Sequence, residues 1–129
     1  MTTIQQQART AYTTATLGTA SPQKLMLMLW DRLVLDVERG LRAQMARDDE
    51  EASRQLVHAQ AILTEFQATL DTEGWTGGRE LLALYGYLQR RLVRANISRD
   101  QVATKEVLAH CRALRSTWHR AAEIAARGE

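Results

Sequence analysis

Three histidines and one cysteine are the side chains of this 129-residue chain best suited to metal binding or nucleophilic chemistry. Glu106 and His110 are four residues apart, but the Glu-x-x-His spacing of di-iron helical bundles does not occur, and one Glu–His pair cannot complete a metal site. His58 and His119 are isolated, as surface histidines commonly are. His58 leaves one alternative open, because a phosphotransfer or signalling bundle needs only one exposed histidine on a helix.

Other catalytic motifs are missing from the sequence. It has no glycine-rich phosphate loop, nucleophile elbow or paired-cysteine zinc motif. Cys111 is the only cysteine, so an intramolecular disulfide cannot form. Its place among apolar residues predicts a small buried hydrophobe, not a reactive thiol. We therefore expect no enzyme activity, no metal and no cofactor.

Charge and hydropathy restrict the classes of partner. The 17 basic and 15 acidic residues give a formal charge of +2, which does not predict nucleic-acid binding. The polar N-terminus lacks the apolar core of a signal peptide, and no apolar run approaches the roughly 20 residues of a membrane span. These features predict a cytoplasmic protein without membrane insertion. The densest basic cluster is either a solvated helix face or a site for phosphate or anionic lipid, and it contains Arg90, Arg91, Arg94 and Arg99.

Apolar residues recur at alternating steps of four and three in three segments, which is typical of amphipathic helices. The stripes contain Ala52, Leu56, Ala59, Leu63, Phe66 and Leu70; Leu81, Tyr85, Leu88, Leu92 and Ala95; and Val107, Cys111, Leu114, Trp118, Ala121 and Ala125. Such stripes are buried when they pack against one another. We expect Tyr85, Leu88, Leu92 and Trp118 to form supporting core.

Capping residues mark four helices. Ser21-Pro22 predicts the start of the first, which runs to about Ala46 and includes Gly40, a site for close helix packing. The second runs from the acidic cap at Asp48 to about Asp71. The third spans about Arg79 to Ala95 and is closed by Asn96, and a capping box from Ser98 to Gln101 opens the fourth, which runs to about Ala126. Trp75, in the Gly-rich loop at 74–78, is expected to lie over one end of the bundle.

The predicted fold is all-α: an antiparallel up-down four-helix bundle over residues 21–129, preceded by an arm or short helix over residues 1–20. The arm is rich in threonine and glutamine and carries three isolated apolar residues, Ile4, Tyr12 and Leu17. It is either a frayed terminus or a segment that docks on the bundle through these residues.

Several aliphatic residues lie off the predicted stripes: Val57, Ile62, Leu82, Val93, Ile97, Leu108 and Ile124. Any one of them can pack in a corner between helices. All of them together are hard to bury within four helices that each have a polar outer face. An exposed apolar groove that receives an amphipathic segment of another protein is therefore expected.

Ordered motifs along the chain resemble the FliS family of flagellin-specific export chaperones. They are Tyr12, Thr19-Ala20-Ser21-Pro22, Leu25 and Met28-Leu29-Trp30-Asp31; then Leu56, Ala59-Gln60, Ile62-Leu63, Glu65-Phe66 and Leu70-Asp71; then Leu84-Tyr85, Tyr87-Leu88, Arg91-Leu92 and Ala95-Asn96; and finally Val107, Leu114-Arg115 and Trp118. The departures are mild: Trp30 replaces a usual tyrosine, Phe66 a common leucine and His58 a frequent lysine.

The resemblance implies a cytoplasmic chaperone that binds the C-terminal helical tail of flagellin. It would prevent premature polymerisation and present subunits to the flagellar type III export apparatus, with other flagellar regulators as further candidate partners. Combining the off-stripe aliphatics with the family motif, we expect the groove to contain Val57, Ile62, Leu82, Tyr87, Val93, Asn96 and Ile97. The resemblance also implies that the arm covers part of the binding surface, through Ile4, Tyr12 and Leu17 in our interpretation.

Overall fold

The computed structural model describes residues 21–128, which form four α-helices joined by short loops. The helices are α1 (Pro22–Met45), α2 (Asp49–Thr69), α3 (Gly78–Ser98) and α4 (Gln101–Ala126). Each helix packs on two others, because α1 and α3 both contact α2 and α4. Short connections place consecutive helices antiparallel. The predicted antiparallel four-helix bundle is therefore confirmed.

Side-chain caps fix the starts of three helices. Ser21 Oγ accepts a hydrogen bond from the Lys24 N–H at 3.2 Å, with Pro22 at the first helical position. Asp48 Oδ1 accepts from the N–H of Glu51 at 3.2 Å. Each cap satisfies a backbone donor that has no partner within its own helix. The predicted starts at Ser21 and Asp48 are confirmed.

The end of α3 differs from the prediction. Asn96 does not close the helix, because its side-chain amide donates to Ser53 Oγ at 3.3 Å while its backbone stays helical. The helix ends after Ser98, where Arg99 takes the left-handed conformation with φ 54°. The cap of α4 is consequently Asp100, whose carboxylate accepts from the N–H of Ala103 at 3.1 Å. The capping box predicted from Ser98 is wrong.

The core between the helices is built from the predicted stripes together with one face of α1. Its buried members are Leu29, Trp30, Leu33, Val34, Val37, Leu56, Ala59, Ile62, Leu63, Phe66, Tyr85, Leu88, Leu92, Val107, Leu108 and Cys111. The prediction that Cys111 is a buried hydrophobe is confirmed, and burial raises the pKa of its thiol to about 12. Of the expected supporting core, Trp118 alone is only partly buried.

Gly40 lies where α1 packs against Leu56 of α2. It is buried, and a Cβ atom at this position would lie 2.5 Å from Leu56 Cδ2. The predicted role of Gly40 in close helix packing is confirmed, because no larger residue fits here without moving Leu56.

The predicted arm, with Ile4, Tyr12 and Leu17, lies outside the described residues and stays a prediction. Within residues 21–128, none of the helices combines the length and apolar character needed to cross a bilayer.

Candidate partner-binding surface

Three of the seven predicted contact residues are exposed aliphatic side chains on α2 and α3. Val57 is 51% exposed, Val93 39% and Ile97 76%. We define these three residues, together with Gln89 and Asn96, as the α2–α3 surface. Large aliphatic side chains that a fold leaves outside are candidates for contact with another protein.

Two hydrogen bonds set the register of the seam between α2 and α3. The Asn96 amide donates to Ser53 Oγ at 3.3 Å, and the Gln89 amide donates to the carbonyl oxygen of Gln60 at 3.2 Å. The helices are antiparallel, so residues between these two bonds face each other across the seam. Neutral polar groups thus line its outer edge.

Val57 and Val93 occupy the interval between these bonds, one on each helix. Ile97 follows Val93 by four residues and extends the apolar edge by one turn toward the end of α3. A shallow depression of about 510 Å³ lies along this part of the helix and is lined by Gln89, Arg90, Val93, Arg94, Ile97 and Ser98. The structure therefore brings Val57, Val93, Asn96 and Ile97 to one side of the bundle.

Leu82 lies on the same side of α3 but is less accessible. It precedes Val93 by eleven residues, about three helical turns, so both side chains share one face of the helix. Leu82 is half-buried, whereas Val93 is exposed. It extends the α2–α3 surface only in part.

Ile62 corrects one predicted contact, because its side chain is completely buried in the core. It lies one turn after His58, whose ring Nδ1 contacts Asp36 of α1, so this row of α2 faces α1. A helix with neighbours on two sides has a wider buried stripe than a single seam predicts. The prediction that Ile62 is surplus to the core is wrong.

Tyr87 lies on the opposite side of α3, against α4. Its hydroxyl donates to Glu106 Oε2 at 2.5 Å, and Arg91 Nε donates to Glu106 Oε1 at 2.8 Å. The hydrogen bond from Tyr87, followed by that from Arg91, lowers the pKa of Glu106, and the same contact raises the pKa of Tyr87. Tyr87 is exposed, but it does not join the α2–α3 surface.

The four predicted clustered arginines divide into two kinds. Arg91 is bonded to Glu106, and Arg99 is 3.1 Å from a carboxylate oxygen of Asp49. Arg90 and Arg94 are exposed and form no ion pair with any residue in the described range. These two guanidinium groups border the α2–α3 surface.

His58, the residue behind the phosphotransfer alternative, links α2 to α1. Its Nδ1 contacts the fully buried carboxylate of Asp36, which also accepts a hydrogen bond from Arg32 Nε at 2.8 Å. A buried carboxylate needs such partners. The contact gives His58 a structural role between two helices.

A polar cavity of about 220 Å³ adjoins the α2–α3 surface where α3 ends. It is lined by Gln44, Asp49, Ala52, Ser53, Asn96, Ile97 and Arg99. The buried amide of Gln44 donates to the Ala95 carbonyl oxygen at 3.1 Å, while Gln44 Oε1 has no hydrogen-bond partner among residues 21–128. The surface therefore ends next to an unused hydrogen-bond acceptor, which spacing alone did not indicate.

Aromatic residues close the other end of the bundle. Trp30 stacks on Phe66 with ring centroids 4.6 Å apart, and Trp118 Nε1 donates to the Tyr85 hydroxyl at 3.3 Å. Trp75 joins these residues in lining a cavity of about 260 Å³, consistent with its predicted place over the end of the bundle.

A second cleft at that end was missed by the sequence analysis. It measures about 310 Å³ and lies between the first turns of α1 and the last turns of α4, with Thr69 of α2 at its edge. Ala121 and Ala125 are therefore exposed, although they belong to a predicted stripe. No residue of α3 lines the cleft, which leaves these stripe positions uncovered within the described bundle.

The side chains of residues 21–128 include no group of three or more His, Cys, Asp or Glu residues arranged to hold a metal ion.

Comparison with known proteins gives concordant matches. A family model described as "Flagellar protein FliS" matches residues 4–125. The flagellar secretion chaperone FliS of Bacillus subtilis (strain 168) is 32% identical over 116 residues, which are 90% of this chain and 86% of that relative. The segment matched by the family model contains the whole α2–α3 surface.

Proposed function

Because this chain belongs to the FliS family of flagellar proteins, we propose that it is a flagellar secretion chaperone that binds the C-terminal region of flagellin. In this role it acts in the cytoplasm, prevents flagellin from polymerising early and presents it to the flagellar type III export apparatus. The observation that carries the proposal is the exposed aliphatic edge of the α2–α3 surface.

The contacts that we propose follow the apolar edge. Val57, Val93 and Ile97 cover apolar side chains of the flagellin segment, Asn96 adds a polar contact beside Ile97, and the half-buried Leu82 extends the contact toward the start of α3. Tyr87 would form a separate contact near α4, reached only by a segment that wraps around α3. A long, wrapping segment suits this arrangement, because a chain that folds on binding can follow several faces.

The energetics of such binding suit a chaperone that must release its client. Apolar helix faces that assemble flagellin are covered, which favours binding. Ordering a tail that is disordered when free offsets much of this gain. The net affinity is then a small difference between two larger free energies, which allows other export components to displace the client. We propose a binding role without catalysis.

A pull-down and calorimetric titration with a C-terminal flagellin segment test the proposal. Ile97→Asp should weaken binding strongly, because it places a carboxylate at the most exposed aliphatic position of the surface. Ile124→Asp is the matched control, since Ile124 is also exposed in the last turn of a helix, but at the end of α4. Absence of a complex at micromolar concentration would contradict the function, and equal losses in both variants would contradict the location.

A further inference from the structure

Two arginines that form no ion pair within the described part of the chain border the apolar edge of α3 at helical spacing. Arg90 precedes Val93 by three residues, and Arg94 precedes Ile97 by three, so each guanidinium group neighbours one exposed aliphatic side chain. Arg90 and Arg94 are themselves one turn apart. All four residues line the same shallow depression.

The charged residues at the start of α2 are already paired, because Arg54 contacts both Glu50 and Glu51. Gln89 and Asn96 hydrogen-bond to α2 as neutral amides, and the α2 residues opposite them, Ser53 and Gln60, are also neutral. The ion pair between Arg99 and Asp49 at the end of α3 is internally balanced. Among residues 21–128, Arg90 and Arg94 are thus the charged side chains of the depression that have no ion-pair partner.

We infer that the segment bound here is an amphipathic helix with two carboxylates, one turn apart, along one border of its apolar stripe. This inference deepens the proposed function and rests on it. The apolar stripe covers Val57, Val93 and Ile97 while the carboxylates meet Arg90 and Arg94. Guanidinium groups suit this task because they present several donors in a planar fork that matches a carboxylate.

The acidic border fixes the register of the bound helix. An aliphatic edge alone allows a helix to slide by one turn at little cost, because apolar contacts have no direction. Two charge pairs penalise that shift and speed association, although exposed pairs add only modestly to affinity. An anionic membrane offers the same charge without the spacing, so the two partners are separable by experiment.

The experiment compares Arg90→Glu/Arg94→Glu with Arg39→Glu/Arg42→Glu. The control arginines are exposed on α1 and do not line the depression on α3. Binding of the C-terminal flagellin segment should weaken by about tenfold or more in the first variant and less than about twofold in the second, since two attractive pairs become repulsive. Circular dichroism should show both variants folded.

Two further measurements make the outcomes distinct. Affinity of the wild-type chain should fall as NaCl concentration rises, and replacing the acidic residues of the segment with lysine should restore binding to the first variant. Unchanged binding by that variant would overturn the inference while leaving the proposed function intact. Absence of wild-type binding would contradict both, and tighter binding to phosphatidylserine vesicles than to the segment would assign the arginines to a membrane.

Discussion

At the scale of single residues, two adjacent residues of α3 have different roles: one stabilises the fold and the next lies on the proposed binding surface. Leu92 is completely buried in the core, whereas the next residue, Val93, is 39% exposed and lies on the α2–α3 surface. Successive helical residues point about 100° apart, so adjacent aliphatic side chains have different environments. This pair allows folding and binding to be measured separately with two similar substitutions.

Leu92→Ala should cost about 2–5 kcal/mol of the free energy of unfolding, because it removes buried atoms and leaves a cavity. Val93→Ala should cost less than about 1 kcal/mol, since its side chain is already partly in water. We expect the order to reverse for binding of the flagellin segment by folded protein, with Val93→Ala giving the larger loss. Urea denaturation and calorimetry measure the two quantities. Equal destabilisation by both substitutions would contradict the assigned environments.

At the scale of helices, the sequence predicted where the helices lie better than it predicted which faces of them are buried. Ser21 and Asp48 marked two starts correctly, because a side-chain cap is a local interaction. The prediction that Asn96 closes α3 was wrong, because its side chain hydrogen-bonds to Ser53 of another helix. The prediction that Ile62 lies outside the core was also wrong because of a contact between helices, since packing against α1 widens the buried stripe of α2. Long-range contacts of this kind leave no local pattern.

The candidate surface was predicted in the same partial way. Val57, Val93 and Ile97 stood out as aliphatics beyond the stripes, and the structure places all three outside the core. The clustered arginines were also visible, but the sequence did not show that two would be paired and two unpaired. That division depends on Glu106 of α4 and Asp49 of α2, which only the packing of helices brings near α3.

Two glycines provide a test of how closely the helices pack. Gly40→Ala should lower the free energy of unfolding by about 1 kcal/mol or more, because overpacking against Leu56 outweighs the better helix propensity of alanine. Gly86→Ala should raise it by about 0.5–1 kcal/mol, since a Cβ there meets only side-chain atoms of Arg90 and Gln67, at 3.3 and 3.6 Å. Thermal and urea denaturation report both changes. Stabilisation by Gly40→Ala would contradict the close approach of α1 and α2.

At the scale of the whole molecule, the bundle buries a core of its own and still has aliphatic side chains left outside. Ile62 and Leu108 are buried, so part of the apparent surplus of aliphatic side chains belongs to the core. Val57, Val93 and Ile97 remain exposed even though the core around Leu56, Leu88 and Leu92 is closed. The partner is therefore not needed to finish the fold of the described bundle. It is expected to cover an outer face, which lets the chaperone stay folded before and after release.

The closed core also predicts how the stability of the molecule depends on pH. Burial is the main cause that raises the pKa of Tyr85 and of Cys111 to about 12, from ordinary values of 10.0 and 9.0. Both groups thus stay protonated in the folded state at a pH where the unfolded chain releases their protons. Above pH 9 the unfolded state binds fewer protons than the folded state, so the free energy of unfolding falls as the pH rises toward 12.

Urea denaturation between pH 8 and about pH 11 measures this dependence. Cys111→Ala should flatten the alkaline decline from pH 9 upward, and Tyr85→Phe should flatten it from pH 10 upward, because each removes one buried acid. Tyr87→Phe separates hydrogen bonding from burial, because Tyr87 is exposed and its pKa is raised mainly by the hydrogen bond to Glu106, so its share of the decline does not report on the core. The variants are compared by the slope of the free energy of unfolding against pH, because each substitution also changes stability at neutral pH. If Cys111→Ala and Tyr85→Phe both retained the wild-type slope, water would reach these side chains and the core would not be closed.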